Sequence, residues 1–159
     1  MRWTAAAFVP LAILAVPVAA HGPAPEAPSA DLPPAVRDAA ATIDAFHAAL
    51  KRRDTRAAAE LVADDALIFE QGGVERSKAE YAAHHLPADA RFSSAVSSVV
   101  TRRAGHSSGA LAWVASEGRI TGSFEGRAID LVTTESMVLR RSGSDWRIVH
   151  IHWSSTAKP

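Results

Sequence analysis

The sequence contains no cysteine, so disulfide bonds and a lipid-modified N-terminal cysteine are both excluded. It also has no excess of either charge, because 17 Lys and Arg residues balance 17 Asp and Glu residues. The basic residues form no stripe with interleaved aromatic residues, and we therefore expect no nucleic-acid partner. The stability of the protein must come from the packing of an apolar core.

Residues 1–20 have the pattern of a secretory signal peptide. Arg2 supplies a short positive region, residues 5–20 carry no charge, and Val18-Ala19-Ala20 offers small residues to a signal peptidase. The apolar run contains two prolines and is shorter than the roughly 20 residues of a membrane span. The alternative is an uncleaved anchor. We expect cleavage, a periplasmic or secreted protein, and no membrane association afterwards.

The mature chain is expected to consist of a tether and one domain. Residues 21–34 contain five of the nine prolines, among Ala, Gly, Ser and acidic residues. Such a segment cannot bury enough apolar surface to fold, which predicts a flexible tether. Residues 35–156 have the length of a single domain with a core of its own.

The first half of the domain predicts helices. Apolar residues from Val36 to Leu50 recur at steps of three and four, which is typical of a long amphipathic helix. Asp54 caps a shorter second helix. Ser77-Lys78-Ala79-Glu80 forms a capping box, and we expect the third helix that it opens to end at Pro87.

The remaining segments predict strands. Residues 66–69 are a short apolar run that ends at the Gly72-Gly73 turn. After Pro87 the hydrophobic period changes to two, in four segments that glycine- and serine-rich turns separate. We expect these strands near 92–103, 110–122, 127–141 and 146–154. Helices followed by hairpin-linked strands indicate an α+β fold with an antiparallel sheet.

Three stretches carry a resemblance to a known family. They are Phe46-His47-Ala48-Ala49-Leu50, the passage that ends in Glu70-Gln71-Gly72-Gly73, and the final Ser142–Asp145 turn with the strand after it. Together with the order of elements, they resemble the nuclear transport factor 2-like, or SnoaL-like, superfamily. The resemblance implies a cone, in which a curved antiparallel sheet wraps around the long N-terminal helix, with two shorter helices. It also implies a pocket and a homodimer.

Histidine supplies the candidate site residues. His150 and His152 are two positions apart on a predicted strand, so we expect both side chains on one face, together with Trp146 and Ile148. A second group, consisting of Glu80, Tyr81, His84 and His85, lies on the third helix, where the resemblance implies proximity to the pocket mouth. The predicted pocket residues are Glu70, Tyr81, His84, His150 and His152.

Convergence of the two groups would allow three kinds of site. Imidazoles are ligands of zinc and copper, so His84, His85, His150 and His152 are a candidate metal site. A histidine and a carboxylate could instead form an acid–base pair, with His150, His152 or Glu70 as the residue that transfers the proton. The third interpretation is purely structural, with hydrogen-bonded wall residues and a solvated helix end.

Other titratable residues are expected to be structural. His47 is interpreted as a hydrogen-bonded core histidine rather than a pocket residue, because it lies beside the apolar stripe of the first helix. Glu117, Asp130 and Glu135 fall within predicted strands, where a partner such as Arg119 would be usual. Such a carboxylate becomes functionally interesting only if it points into the cone, where burial raises its pKa.

The sequence leaves three functions open. The first is a pocket that binds a small ligand or a metal ion through a histidine-rich wall. The second is an enzyme of isomerase, cyclase or hydrolase type that uses His/Glu acid–base chemistry. The third is a protein-interaction module. Members of a superfamily with one fold can do any of these, so the side chains of the site must decide.

Export can be tested directly by intact-mass measurement on protein recovered from the periplasm. We expect the mature species to begin at His21, because signal peptidase reads small residues of the kind found at Val18-Ala19-Ala20. A recovered species that still carries residues 1–20 would contradict this expectation.

Overall fold

The computed structural model describes residues 32–158, which form four helices and one six-stranded sheet. The signal peptide and all but the last three residues of the predicted tether lie outside these residues. The elements in chain order are α1 (Pro34–Lys51), α2 (Thr55–Glu60), β1 (Val62–Glu70), β2 (Gly73–Glu75), α3 (Lys78–Ala83), α4 (Leu86–Ala95), β3 (Val96–Ser108), β4 (Leu111–Phe124), β5 (Arg127–Ser142) and β6 (Asp145–Ala157). None of these helices is long and apolar enough to cross a membrane.

The sheet is curved, open and mixed, with the strand order β2-β1-β6-β5-β4-β3. The predicted α+β class is confirmed, and β3 to β6 pair antiparallel as expected. The pairing of β1 with β6 is parallel, which differs from the expected antiparallel sheet. The parallel pair arises because α3 and α4 carry the chain from β2 to the far edge of the sheet, from which the consecutive strands β3 to β6 lead back to β1.

The core lies between α1 and one face of the sheet, which we call the inner face. Val36, Ile43 and Phe46 of α1 are fully buried, as the three- and four-residue spacing predicts. They belong to one cluster with Met137 of β5 and Ile151 of β6. The opposite surface of the sheet is the outer face.

The helices α2 and α3 are capped by the residues that the sequence predicts. The Asp54 side chain accepts a hydrogen bond from the Ala57 amide at 3.0 Å, at the start of α2. Ser77 Oγ accepts one from the Glu80 amide at 3.1 Å. The Glu80 carboxylate closes this capping motif one residue earlier than expected, because it accepts from the Arg76 amide.

The prediction that Pro87 ends the third helix is wrong. Helix α3 already ends at Ala83, and Pro87 lies in the first turn of the separate helix α4. Proline is well tolerated there, because amides in the first turn of a helix have no intrahelical acceptor. The strand expected from residue 92 therefore begins only at Val96.

A β-bulge at Val149 determines which β6 side chains enter the core. Ile148 is opposite Leu139 and His150 is opposite Val138, so Val149 has no partner on β5. An extra residue in a strand shifts the alternation of side chains by one position. Ile148 and Ile151 are consequently both buried on the inner face.

We expect Trp146→Ala to lower the free energy of unfolding by about 3–5 kcal/mol, the usual cost of truncating a buried aromatic residue. The Trp146 side chain is 6% exposed, and the Arg141 guanidinium lies 5.5 Å from its ring centroid. Trp113→Ala is the matched control, because Trp113 is 45% exposed, and should cost less than about 1 kcal/mol. Chemical denaturation measures the free energy of unfolding of both variants. An equal loss for the two substitutions would contradict the burial assigned to Trp146.

Candidate functional site

A cavity of about 720 Å³ lies between α1, α4 and the inner face of β3 to β6. This volume is within the range of roughly 300–1,000 Å³ found for small-molecule sites. Part of the wall is apolar, and Phe92 of α4 meets Phe124 of β4 there in an edge-to-face contact with ring centroids 5.3 Å apart. The other apolar side chains of this part include Val96, Ile120 and Leu131.

A histidine–carboxylate pair lies in the polar part of the cavity wall. His47 on α1 and Glu135 on β5 both line the cavity, and His47 Nε2 is 2.7 Å from Glu135 Oε2. The indole nitrogen of Trp153 donates to the same oxygen at 2.8 Å. The Glu135 side chain is 12% exposed, whereas 41% of the His47 side chain is exposed.

The environment of Glu135 favours its ionised form. Burial alone raises the pKa of a carboxyl group. In Glu135 this effect is outweighed by His47, the hydrogen bond from Trp153 and the charge of Arg103, which together hold its pKa below the usual value. The carboxylate can then only accept hydrogen bonds, so His47 Nε2 must carry a proton.

This arrangement leaves two atoms free at the polar wall. With Nε2 protonated, Nδ1 of a neutral His47 carries a lone pair and has no partner among the described residues. Glu135 Oε1 likewise has no partner among these residues. Every fully buried side-chain oxygen or nitrogen in residues 32–158 has a hydrogen-bond partner, so an atom without one, such as Oε1, is accessible. Both atoms are therefore available to a ligand, as a base and as a hydrogen-bond acceptor respectively.

Arg103 on β3 adds a positive charge to the same wall. Its guanidinium donates to Asp44 Oδ1 at 2.8 Å and to Ser116 Oγ at 3.2 Å. The Arg103 side chain is 13% exposed. Asp44 and Ser116 fix the guanidinium in position, and its charge helps to keep the nearby Glu135 ionised.

A second titratable group lies where α3, α4 and β1 meet. The Tyr81 hydroxyl donates to Asp89 Oδ2 at 2.7 Å, and Tyr81 is fully buried. Asp89 and Glu70 line the cavity. Burial raises the pKa of Asp89 to about 6, against the hydrogen bond from Tyr81, and the charge of Glu70 adds to this rise. Burial likewise raises the pKa of Glu70, while the charge of His85 opposes that rise.

His150 and His152 lie on the outer face, not on the cavity wall. The expectation that they share a face with Trp146 and Ile148 is wrong, because the bulge at Val149 reverses the alternation between the two pairs. His150 Nδ1 donates to the Leu67 carbonyl at 2.8 Å. Both imidazoles contact the ring of Phe69 edge-on, with centroids 5.3 and 6.2 Å away.

The third-helix residues lie in different surroundings from the two strand histidines. His84 is the exposed residue at the C-terminus of α3. The His85 imidazole is paired with the buried carboxylate of Glu75. Within residues 32–158 no three His, Cys, Asp or Glu side chains are grouped so that they could hold a metal ion. Zinc or copper binding by His84, His85, His150 and His152 stays a prediction, which this geometry does not support.

Of the five predicted pocket residues, only Glu70 lines the described cavity, although Tyr81 contacts it through Asp89. We interpreted His47 and Glu135 as structural residues from the sequence, yet they form the centre of the polar wall. The two residues are 88 positions apart in the sequence, so no local pattern indicated that they form a pair. The available signal was that Glu135 is a carboxylate among strand-forming residues. This signal becomes informative only when the face of the sheet to which Glu135 points is known. Asp130, by contrast, has the expected partner, since it binds Arg119 at 2.6–2.8 Å.

Comparisons with known proteins agree with this architecture. Residues 39–158 match the SnoaL-like domain family. A structure from Shewanella frigidimarina NCIMB 400, described as a candidate ketosteroid isomerase, is 32% identical, with a TM-score of 0.71 over 74% of this chain and 94% of its own. No protein of curated function matches the sequence.

Two more distant structures share the fold alone. A candidate calcium/calmodulin-dependent protein kinase II association domain from Xanthomonas campestris is 22% identical, with a TM-score of 0.66 over 86% of this chain and 98% of its own. A candidate dehydratase of the nuclear transport factor 2-like family from Streptomyces avermitilis is 19% identical, with a TM-score of 0.64 over 78% of this chain and 97% of its own. The family match covers three quarters of the sequence and the fold agrees, so this chain belongs to the SnoaL-like domain family.

Proposed function

We propose that the cavity binds a small, largely apolar organic molecule, and that a polar group of this ligand contacts His47 and Glu135. The apolar wall around Phe92, Phe124 and Leu131 supplies buried surface for the body of the ligand. The free Glu135 Oε1 and His47 Nδ1 form hydrogen bonds with the polar group of the ligand and thereby orient the ligand in the cavity.

One observation carries this proposal above the others, namely an ionised and largely buried carboxylate in the wall of the cavity. Removing a charge from water is unfavourable unless partners compensate for the lost hydration. Glu135 has such partners in His47 and Trp153, and both hydrogen bonds converge on one of its oxygens. The other oxygen is left for a molecule that enters the cavity.

Binding in the cavity can be tested with an apolar fluorophore, 6-propionyl-2-(dimethylamino)naphthalene. We expect Leu131→Trp to weaken its binding about tenfold or more, equivalent to about 1.4 kcal/mol, because the indole fills space on the inner face. Val132→Trp is the matched control, since Val132 is the next residue of β5 and is 43% exposed on the outer face. Fluorescence titration measures both dissociation constants. Equal values for the two variants would place the probe outside the cavity and contradict the proposal.

A second candidate function is proton transfer on the bound molecule, and the hydrogen-bonding state of His47 favours it. A histidine whose Nε2–H is held by a carboxylate presents Nδ1 as a general base of fixed orientation. The similar structures described as a candidate ketosteroid isomerase and a candidate dehydratase have names that imply proton transfer on small molecules. We propose the same class of reaction for this chain, with His47 as the base and Glu135 as the residue that orients it.

Proton transfer can be tested with androst-5-ene-3,17-dione, whose isomerisation to the conjugated ketone is followed by ultraviolet absorbance. We expect His47→Gln to lower kcat about 100-fold or more with little change in KM, because the amide still donates to Glu135 but is no base. His152→Gln is the control on the outer face and should leave kcat unchanged. Absence of turnover in the unaltered protein, or equal effects of both substitutions, would contradict this second function and leave the binding proposal in place.

The location and assembly of the protein are proposals that rest on the sequence. The signal-peptide pattern supports a periplasmic or secreted domain. The outer face of the sheet carries exposed apolar side chains, among them Trp113 and Val132. Exposed apolar patches are typical of contact surfaces, which is compatible with the homodimer that the family resemblance implies.

A further inference from the structure

A row of small residues separates the polar wall of the cavity from its apolar wall. On β5, Thr133 lies on the inner face between Glu135 and Leu131, which are each two positions away. Its partners on the neighbouring strands are Gly118 of β4 and Ser155 of β6, which also line the cavity. Alternate residues of a strand are about 6.6 Å apart, so a ligand that contacts both walls passes over Thr133.

The hydroxyl group of Thr133 is not used by the protein. Elsewhere on the inner face, Ser107 Oγ donates to a carbonyl of α1 at 3.0 Å, and Ser116 Oγ accepts from Arg103 at 3.2 Å. Thr133 Oγ1 has no hydrogen-bond partner among residues 32–158, and it is accessible, because every fully buried side-chain oxygen there has one. A hydroxyl group both donates and accepts, so this atom can do either towards a ligand.

Gly118 leaves this hydroxyl uncovered on the side of β4. A β-carbon at Gly118 would lie 3.1 Å from Thr133 Oγ1 and 2.9 Å from the carbonyl oxygen of Val99. The second distance is too short for a carbon atom, so any larger residue would displace β3 or the Thr133 side chain. Glycine at this position therefore keeps the inner face open beside the Thr133 hydroxyl.

The two free atoms of the polar wall can only accept hydrogen bonds. Glu135 is ionised, so its Oε1 offers lone pairs and no proton, and Nδ1 of a neutral His47 offers one lone pair. A ligand group that satisfies these atoms must be a donor, whereas a carbonyl or ether oxygen would be repelled by the carboxylate. Arg103 already places a positive charge near Glu135, which favours a neutral hydroxyl over an ammonium group as that donor.

We propose that Thr133 determines the specificity of the cavity, and that the ligand is a neutral, hydroxylated molecule with an apolar body. One hydroxyl of the ligand donates to the polar wall at Glu135 and His47. A second oxygen, a few bonds away and nearer to the apolar wall, hydrogen-bonds the Thr133 hydroxyl. This inference rests on the proposed binding function and deepens it, because it names the class of ligand.

Three naphthalene derivatives test this inference, because they carry no hydroxyl, one hydroxyl and two hydroxyls on the same apolar body. They are 2-ethylnaphthalene, 2-(2-naphthyl)ethanol and 2-(2-naphthyl)propane-1,3-diol. Their dissociation constants are measured by displacement of 6-propionyl-2-(dimethylamino)naphthalene. For each ligand the affinity of a variant is divided by that of the unaltered protein, because the free energy of removing the ligand from water cancels in this ratio.

Thr133→Val should weaken binding of the diol about fivefold, the usual effect of one hydrogen bond, and leave the other two ligands unchanged. Valine has the shape of threonine and is well tolerated in strands, so the fold is retained. Thr133→Ser restores a hydroxyl and should recover the affinity for the diol. Thr121→Val is the matched control, since Thr121 lies on the outer face of β4 opposite Asp130, and should leave all three affinities unchanged.

The outcomes separate this inference from the binding proposal. If Thr133→Val leaves the affinity for the diol unchanged, or changes all three affinities equally, the role of Thr133 is overturned and cavity binding stands. The same conclusion follows if Ser155→Ala weakens the diol and Thr133→Val does not, or if the fluorophore binds and no derivative displaces it. If neither the fluorophore nor any derivative binds, or if Leu131→Trp leaves all affinities unchanged, cavity binding fails and this inference fails with it.

Discussion

The extra residue at Val149 is the constraint on which the functional site depends. Without it, strict alternation from the buried Ile148 would place His150 and His152 inside and would turn Trp153 outward. The bulge instead directs Trp153 to the inner face, where its nitrogen reaches Glu135 and its ring stacks on Phe46. A local irregularity of one strand thus selects which aromatic residue donates to Glu135 and packs against Tyr81. Bulges occur often beside binding sites for this reason, because they redirect side chains without altering the fold.

Trp153 also explains how two carboxyl groups in one cavity acquire different properties. Its N–H stabilises the ionised Glu135, while its ring adds apolar surface against Tyr81 near Asp89. The pKa of Glu135 is lowered and that of Asp89 is raised, although both groups are largely removed from water. The difference comes from their partners, since Glu135 has His47 and Arg103, whereas Asp89 has another carboxyl group, Glu70, nearby. Titratable groups whose environments separate their pKa values are the usual basis for assigning an acid and a base within one site.

The fold could be predicted from the sequence because its signals are local. The spacing from Val36 to Leu50, the caps at Asp54 and Ser77, and the change of period after Pro87 all depend on neighbouring residues, and the α+β class followed from their order. The site could not be predicted in the same way. The contact of His47 with Glu135 joins residues 88 positions apart, and the facing of the histidines on β6 depends on a bulge that leaves no composition signal. Pro87 was misleading for a related reason, because proline is compatible with both the end and the start of a helix.

The polar cavity bears on how the fold is used, because the same architecture occurs in candidate enzymes and in a candidate association domain. A domain that served only to hold a partner on its outer face would gain nothing from an ionised carboxylate beneath the sheet. Burial of that charge is unfavourable, and apolar residues of similar volume would pack there at least as well. This chain instead surrounds Glu135 with donors on one oxygen and leaves the other oxygen open to a cavity of about 720 Å³. An unfavourable group that is held in position and left half-satisfied is best explained by a molecule that completes its hydrogen bonds, and this reasoning favours the inner face as the functional one.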